Sequence, residues 1–295
     1  MPRLLVRMPR PIHAESPEAW LSGIVVASDG RAPSDAALIA ARKLAPHSTF
    51  GILSVLPSTS SRERALFPDD VLTADGQAAL IDRQLHRLFG EAPDVWIETQ
   101  CGEPPAVITT FAETHRTPLL ITGIGRPRVL ERLLGDESTL RLMRLAKTPV
   151  FAVASESAVP ARRVLIAMDF APSSIRAARL GLAIAAPQAD VLVAHVCATA
   201  APIHPDERLH RLRDTLQTGF CGRITARVLR GDPATELVAL ANAWRADVIA
   251  IGLGRHAHIE RAGIGAIATR VVRCASCSVI AVPDDSSADS SSAAP

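Results

Sequence analysis

Short, continuous apolar runs alternate with helix-periodic stretches along most of the chain; Val191–Val196 and Val248–Ile251 are two of the runs. A run without polar alternation is expected of a strand covered on both faces. In the second half the pattern predicts strands near 163–169, 189–196, 223–230, 246–252 and 278–283. Helices are predicted over 173–186, 205–219, 233–244 and 264–274. Strand–helix alternation implies parallel strands joined by right-handed crossovers. Pro33 and Pro172 stand where a helix should begin. The missing N–H costs nothing there, and the fixed φ suits a first turn.

One order of landmarks occurs twice. Ile24–Asp29, running on to Pro33-Ser34, lines up with Leu165–Asp169, running on to Pro172-Ser173. Gly102-Glu103-Pro104 matches Gly231-Asp232-Pro233, and Leu119–Gly125 matches Val248–Gly254. Thr148–Val153 matches Cys277–Val282. The offset is about 130–140 residues, one domain length and too long for a solenoid repeat. The chain therefore divides into an N-terminal extension (1–20), a first domain (21–154), a linker (155–162), a second domain (163–283) and a tail (284–295). The linker is small and polar with one Pro. The tail has nothing larger than Ala to bury beside its terminal Pro and is expected to be disordered. The expected fold is α/β: two similar doubly wound domains, each a five-stranded parallel sheet with helices on both faces. The two copies are expected to pair as an intramolecular pseudo-dimer, with homodimerisation of the chain left open.

Composition narrows the function. The chain is 48% hydrophobic, enough for a large core. Its 32 basic and 30 acidic residues leave a net charge of +2, without the clustered basic face that duplex nucleic acid needs. Tyr is absent and Phe and Trp are few, so stacking platforms for single strands are not expected. No apolar run reaches the ~18–20 residues of a membrane span. The basic start, with Arg3, Arg7 and Arg10, lacks the apolar region and cleavage site of a secretory signal. Five dispersed cysteines argue against a disulfide framework and fit a reducing compartment. The expectation is a cytoplasmic protein with neither nucleic-acid nor membrane partners.

In an open α/β sheet, ligands bind beyond the carboxyl ends of the strands, where the strand order reverses. The candidates there are Asp29 and Asp169 after the first strand of each copy, and the glycine loops after the fourth. Those loops run Gly123-Ile124-Gly125-Arg126 through Gly135-Asp136, and Gly252-Leu253-Gly254-Arg255-His256 through Gly263-Ile264-Gly265-Ala266. A glycine loop opening a helix exposes N–H groups and the positive end of a helix dipole, both favourable to phosphate.

The ordered set in duplicate resembles the universal stress protein family in its tandem, two-domain form, over about 24–154 and 163–283. That resemblance implies an adenine nucleotide alpha-hydrolase-like fold. It also implies a choice between a branch that binds adenine nucleotides and one that does not. The binding branch carries a Gly-x2-Gly-x9-Gly-Ser/Thr loop that holds the phosphates, with the first-strand Asp beside the nucleoside. Neither copy keeps that loop intact. In the second, Gly252 and Gly265 hold the spacing, but Arg255 replaces the second Gly and Ala266 the hydroxyl residue. In the first, Gly123 to Gly135 is one residue short, and Asp136 stands where a hydroxyl is expected. A carboxylate beside a triphosphate is repulsive; at ~4 Å like charges cost about 1 kcal/mol in water and about 4 at an effective dielectric of 20. The resemblance thus points to Asp169, Gly252, Gly254, Gly263, Gly265 and Ala266 for ATP or AMP in the second domain. Asp29, Gly123, Gly125 and Gly135 form the weaker counterpart in the first.

Other residues have plainer readings. Asp29 and Asp169 also suit helix caps or turns. His195 in a strand suits packing. His256 and His258 lack the further ligands zinc requires. Cys274-Ala275-Ser276-Cys277 has redox spacing, yet Cys277 aligns with Thr148 just ahead of a buried strand. No Gly-x-Ser-x-Gly elbow, Walker loop, His-Glu-x-x-His or paired catalytic carboxylates occur. The expectation is a non-enzymatic stress-response or regulatory protein with weak, vestigial or absent adenine-nucleotide binding. The alternative is an adenine-nucleotide-binding protein with slow ATPase or adenylate-handling activity.

Overall fold

The computed structural model describes residues 17–57, 73–91, 93–124, 136–155, 157–197, 205–254 and 266–284. Helix α1 (Pro17–Leu21) precedes the first domain. That domain runs β1 (Ile24–Ala27), a 3-10 turn (Ala32–Ser34), α2 (Asp35–Leu44), β2 (Phe50–Pro57), α3 (Ala74–Phe89), β3 (Val95–Gly102), α4 (Pro104–Thr114), β4 (Leu119–Ile124), α5 (Asp136–Leu145) and β5 (Val150–Ala154). The second runs β6 (Ala161–Ala167), α6 (Pro172–Ala183), β7 (Ala185–Cys197), α7 (Pro205–Gln217), β8 (Arg223–Arg230), α8 (Pro233–Trp244), β9 (Val248–Leu253), α9 (Ala266–Cys274) and β10 (Ser278–Pro283).

Alternate residues along a strand point to opposite faces. Val164 and Ile166 of β6 enter one apolar core, while Leu165 and Ala167 enter the other. Both faces are covered, so the strand reads as one apolar run. The first core lies under α2, α3, α6 and α7, through Leu38, Ile81, Leu180 and Leu209. The second lies under α4, α5, α8 and α9, through Phe111, Leu140, Leu237 and Val271. Each core continues through both domains.

The reason is the sheet. Its order is β3-β2-β1-β4-β5-β10-β9-β6-β7-β8, parallel within each domain and antiparallel only between β5 and β10. Phe151 pairs with Ile280 at that seam. These two residues occupy the same position in the two copies, so the seam is the axis of a pseudo-twofold. Ala152 pairs with Val279, and Val150 with Ala281, in mirrored fashion. The seam departs from symmetry at its ends. The Ala154 N–H donates to Ser278 Oγ at 2.9 Å. At the opposite end the equivalent positions are Pro283, with no N–H to satisfy, and Pro149, with no hydroxyl. Among the described residues no helix is long and apolar enough to cross a membrane.

Some boundaries differ from the sequence reading. The helix expected over 173–186 stops at Ala183, and β7 starts at Ala185 rather than near 189. Pro187 disfavours helix at the residue before it, and the Ile184 carbonyl instead accepts the Ala161 N–H at 3.0 Å. Strand β6 begins two residues earlier than 163 for the same reason. The tail beyond Asp284, and with it the expectation of disorder there, lies outside the described residues.

The last residues of the N-terminal extension pack on the other domain. Helix α1 lies against α6. Trp20 is 3% exposed and belongs to the first core, and the Arg176 guanidinium sits 5.8 Å over its ring. Arg176 also donates to the Pro283 carbonyl at 3.3 Å, so α1, α6 and the end of β10 are tied together.

The cysteines are all free thiols. Cys277 is buried, and burial pushes its thiol up from 9.0 to about 11, whereas Cys274 is exposed. A thiol held protonated is a poor nucleophile, which disfavours Cys277 as an attacking thiol.

Two outcomes are expected. Trp20→Ala should cost about 3–5 kcal/mol, the usual range for a buried Trp, and lower the Tm accordingly; an unchanged Tm would show α1 to be a surface appendage. For Cys277, the unfolded chain releases its thiol proton near pH 9.0 while the folded chain holds it to about 11. Stability contributed by this group is therefore present below pH 9.0 and lost as pH rises above it. In alkylation at pH 8 read by mass spectrometry, Cys101, Cys221 and Cys274 should react while Cys277 stays unmodified.

Candidate ligand site at the carboxyl ends of the strands

In the second domain the strand order reverses at β6, which lies between β7 and β9. The chain leaves β6 through Met168, Asp169, Phe170 and Ala171 and enters α6 at Pro172. Asp169 is not the helix cap: Ala171 is, with no side-chain cap bond. Asp169 Oδ1 instead accepts the Ala171 N–H at 2.9 Å, closing an Asx turn. Its Oδ2 is left for other partners.

Strand β9 ends against the start of α6. A Cβ on Gly252 would lie 2.5 Å from the Ser174 nitrogen and 2.8 Å from Ser173 Oγ. Only glycine lets strand and helix approach this closely. Gly252 is thus a packing residue, whatever else it does. Gly254 differs: a Cβ there would meet Asp169 Oδ2 at 3.7 Å and Ser173 Oγ at 3.8 Å, ordinary contacts. A carboxylate oxygen and a hydroxyl therefore border the space beside Gly254. Ser173 is 0% exposed, and its Oγ has no hydrogen-bond partner among the described residues. Buried hydroxyls are normally satisfied, so this one needs explaining.

The loop carrying Asp169 is held from both sides. Phe170 has φ +66°, the left-handed region that bulky residues rarely adopt. Its ring packs on His195, centroids 5.0 Å apart, and the Arg208 guanidinium lies 4.3 Å above it. His195 Nδ1 is 2.7 Å from the Met168 carbonyl, which only accepts, so Nδ1 carries the proton. His195 is half-buried and packed, as its place in a strand suggests.

The first domain repeats the plan with different contents. Asp29 Oδ1 accepts the Arg31 N–H at 3.1 Å, the same turn as at Asp169. Ser34 Oγ donates to the Arg31 carbonyl as Ser174 Oγ does to that of Ala171. Ser34 is thus the spatial counterpart of Ser174, and Pro33 of Ser173. The two Pro-Ser pairs that match in sequence are one residue out of step in space, because Pro172 follows Asp169 by three residues whereas Pro33 follows Asp29 by four. Accordingly a Cβ on Gly123 would collide with the Pro33 carbonyl oxygen, and Pro33, which has no hydroxyl, stands where Ser173 stands in the second domain. Behind the loop, Gln84 of α3 donates to the Arg31 carbonyl, Ser34 Oγ and Asp35 Oδ1 at 3.0, 3.0 and 2.6 Å and accepts from Ser28 Oγ at 2.9 Å. Gly30, φ +78°, stands where Phe170 does, and a Cβ there would come within 2.9 Å of Leu80. Helix α3 closes directly over this loop.

The structure brings Asp169 and Gly254 together, with Gly252 against Ser173 and Ser174; in the first domain Gly123 lies against Pro33 and Ser34. Gly125, Gly135, Gly263 and Gly265 lie outside the described residues, as do His256 and His258. Ala266 opens α9. Among the described residues no group of three or more His, Cys, Asp or Glu is placed to hold a metal. Ser173, Phe170, Arg208 and Gln84 were not picked out from sequence. The Pro-Ser match was the available signal for Ser173, and it misdirects by one residue.

No curated protein matches the chain in sequence. Among solved structures, a universal stress protein from Archaeoglobus fulgidus superposes with a TM-score of 0.70 at 15% identity, over 89% of this chain and 98% of that one. A protein of unknown function from Pseudomonas aeruginosa superposes with a TM-score of 0.64 at 19% identity, over 91% of this chain and 95% of that one. At such identities the likeness is one of fold. The family model for the universal stress protein family matches twice, at residues 22–154 and 160–283, and with the duplicated sheet and turns this establishes that the chain belongs to the universal stress protein family, with two of its domains in tandem.

Proposed function

We propose that the protein is a non-enzymatic stress-response or regulatory protein of the cytoplasm, in which adenine-nucleotide contact is confined to the second domain and is weak. One observation carries this reading: the Ser173 hydroxyl, buried and without a partner among the described residues, borders the space beside Gly254 together with Asp169 Oδ2. The first domain has Pro33 at that place, and its nearby polar groups are taken up by Gln84. Weakness follows from the loop sequence, which has Ala266 where a hydroxyl would add a hydrogen bond worth roughly 0.5–1.5 kcal/mol net.

Catalysis is disfavoured by the same geometry. A hydroxyl acts as a nucleophile when a base lies within hydrogen-bond reach, and no described group hydrogen-bonds Ser173 Oγ. His195 has its Nδ1 committed to the Met168 carbonyl. The five free thiols support the cytoplasmic assignment.

Titration of the full chain with ATP by calorimetry should show at most one site, with a micromolar or weaker Kd. Removing a hydrogen bond to a charged group costs about 1.5–3 kcal/mol, and 1.4 is tenfold. Ser173→Ala should therefore weaken binding by at least about tenfold. Gly254→Val should block it at little cost to the Tm. Two sites per chain, or binding indifferent to both substitutions, would place the ligand elsewhere; steady phosphate release from ATP that Ser173→Ala abolishes would favour the ATPase reading. Gly252→Ala is expected to lower the Tm by itself, because its Cβ has nowhere to go.

A further inference from the structure

We propose that Arg208, Phe170 and His195 form a positioning device that presents the Asp169 carboxylate to the space beside Gly254. The inference rests on reading that space as a ligand site, and concerns how the site is held. Asp169 is exposed and stands in a short loop, a setting in which a carboxylate ordinarily samples several orientations. Here both of its neighbours are anchored. On one side the His195 Nδ1–H holds the Met168 carbonyl at 2.7 Å. On the other side the Phe170 ring contacts both the same imidazole, at 5.0 Å, and the Arg208 guanidinium, at 4.3 Å.

One side chain, His195, thus grips the residues before and after Asp169. Arg208 completes the grip from α7. A left-handed phenylalanine is a costly conformation that persists only where surrounding contacts over-determine it. The ring contacts supply that excess, since a cation over an aromatic face adds about 0.5–2 kcal/mol. With the backbone fixed, Asp169 Oδ1 closes on the Ala171 N–H at 2.9 Å, and Oδ2 faces the space near Gly254. The first domain lacks the device. It has Gly30 at the position of Phe170, with no ring to grip, and Ser54 at the position of His195, its hydroxyl buried and without a hydrogen-bond partner among the described residues. The two loops therefore share the Asx turn but not the clamp, and Arg31, which donates to Asp29 as Ala171 does to Asp169, serves as an internal control.

The test uses the ligand-free full chain and two variants, Phe170→Gly and Arg208→Ala. Glycine at 170 tolerates the left-handed backbone, so the turn stays accessible while the ring contacts go. Amide exchange by NMR should speed up roughly tenfold or more at Ala171 in both variants, with Arg31 unchanged; Arg208→Lys, which keeps the charge but not the planar stack, should fall between. Unchanged exchange at Ala171 overturns the clamp, whether or not any nucleotide binds. Acceleration spread evenly over the second domain, with a lowered Tm, also overturns it, since that is what a merely structural contact would do. ATP titration of the same variants supplies the second arm. Affinity weakened about tenfold with faster local exchange supports positioning, and faster exchange with unchanged affinity overturns it. Should the wild-type chain bind no ATP, the nucleotide reading fails while the exchange result still decides the clamp.

Discussion

The antiparallel pairing of β5 with β10 is the contact on which the rest of the molecule depends. Each five-stranded parallel sheet would otherwise end in an edge of unpaired N–H and C=O groups beside two apolar faces. Joining the edges satisfies those groups and extends both cores across the boundary, so neither domain has to close its own core alone. It also sets the symmetry. Phe151 opposite Ile280, residues of equal rank in the two copies, makes the axis pass between them. Ser278 answers the Ala154 N–H at one end, and Pro283 removes the need for an answer at the other. With the seam in place, α2 and α6 come to lie on one face and α5 and α9 on the other, and α1 reaches across to bury Trp20 on the second domain.

Within that frame the two copies have diverged where their strands end. Both keep an aspartate closing a turn and a glycine that lets the fourth strand meet the start of the helix after the first strand. What differs is the filling. The first domain satisfies its loop from within, through Gln84 bonded to serines, a carbonyl and a carboxylate, with Leu80 packed over Gly30. The second leaves a buried hydroxyl without a partner among the described residues and packs Phe170, the neighbour of its aspartate, against His195 and Arg208. At the first loop Ser34 Oγ is taken up by Gln84, whereas at the second Ser173 Oγ has no partner among the described residues and has a hydrogen bond to gain.

The alternation of strand and helix, the duplication and the two-domain α/β plan were legible in the amino-acid sequence. Strands covered on both faces must be apolar at every position, as Val164–Ala167 and Val248–Ile251 are, so burial is written directly into composition. The turns at Asp29 and Asp169 and the close approaches at Gly123 and Gly252 were legible too, because such places admit few residue types. The sequence could not announce which strands would form the seam, since strands pair through backbone groups that every residue carries. Nor could the Pro-Ser match place Ser173 opposite Gly252, because the proline falls one residue nearer the aspartate in the second copy, while the packing is counted from the turn that the aspartate closes. The Phe170 clamp, the Gln84 network and the docking of Trp20 on Arg176 join residues far apart in the chain. Their partners are chosen by packing and distance, and those exist only once the sheet has brought the elements together.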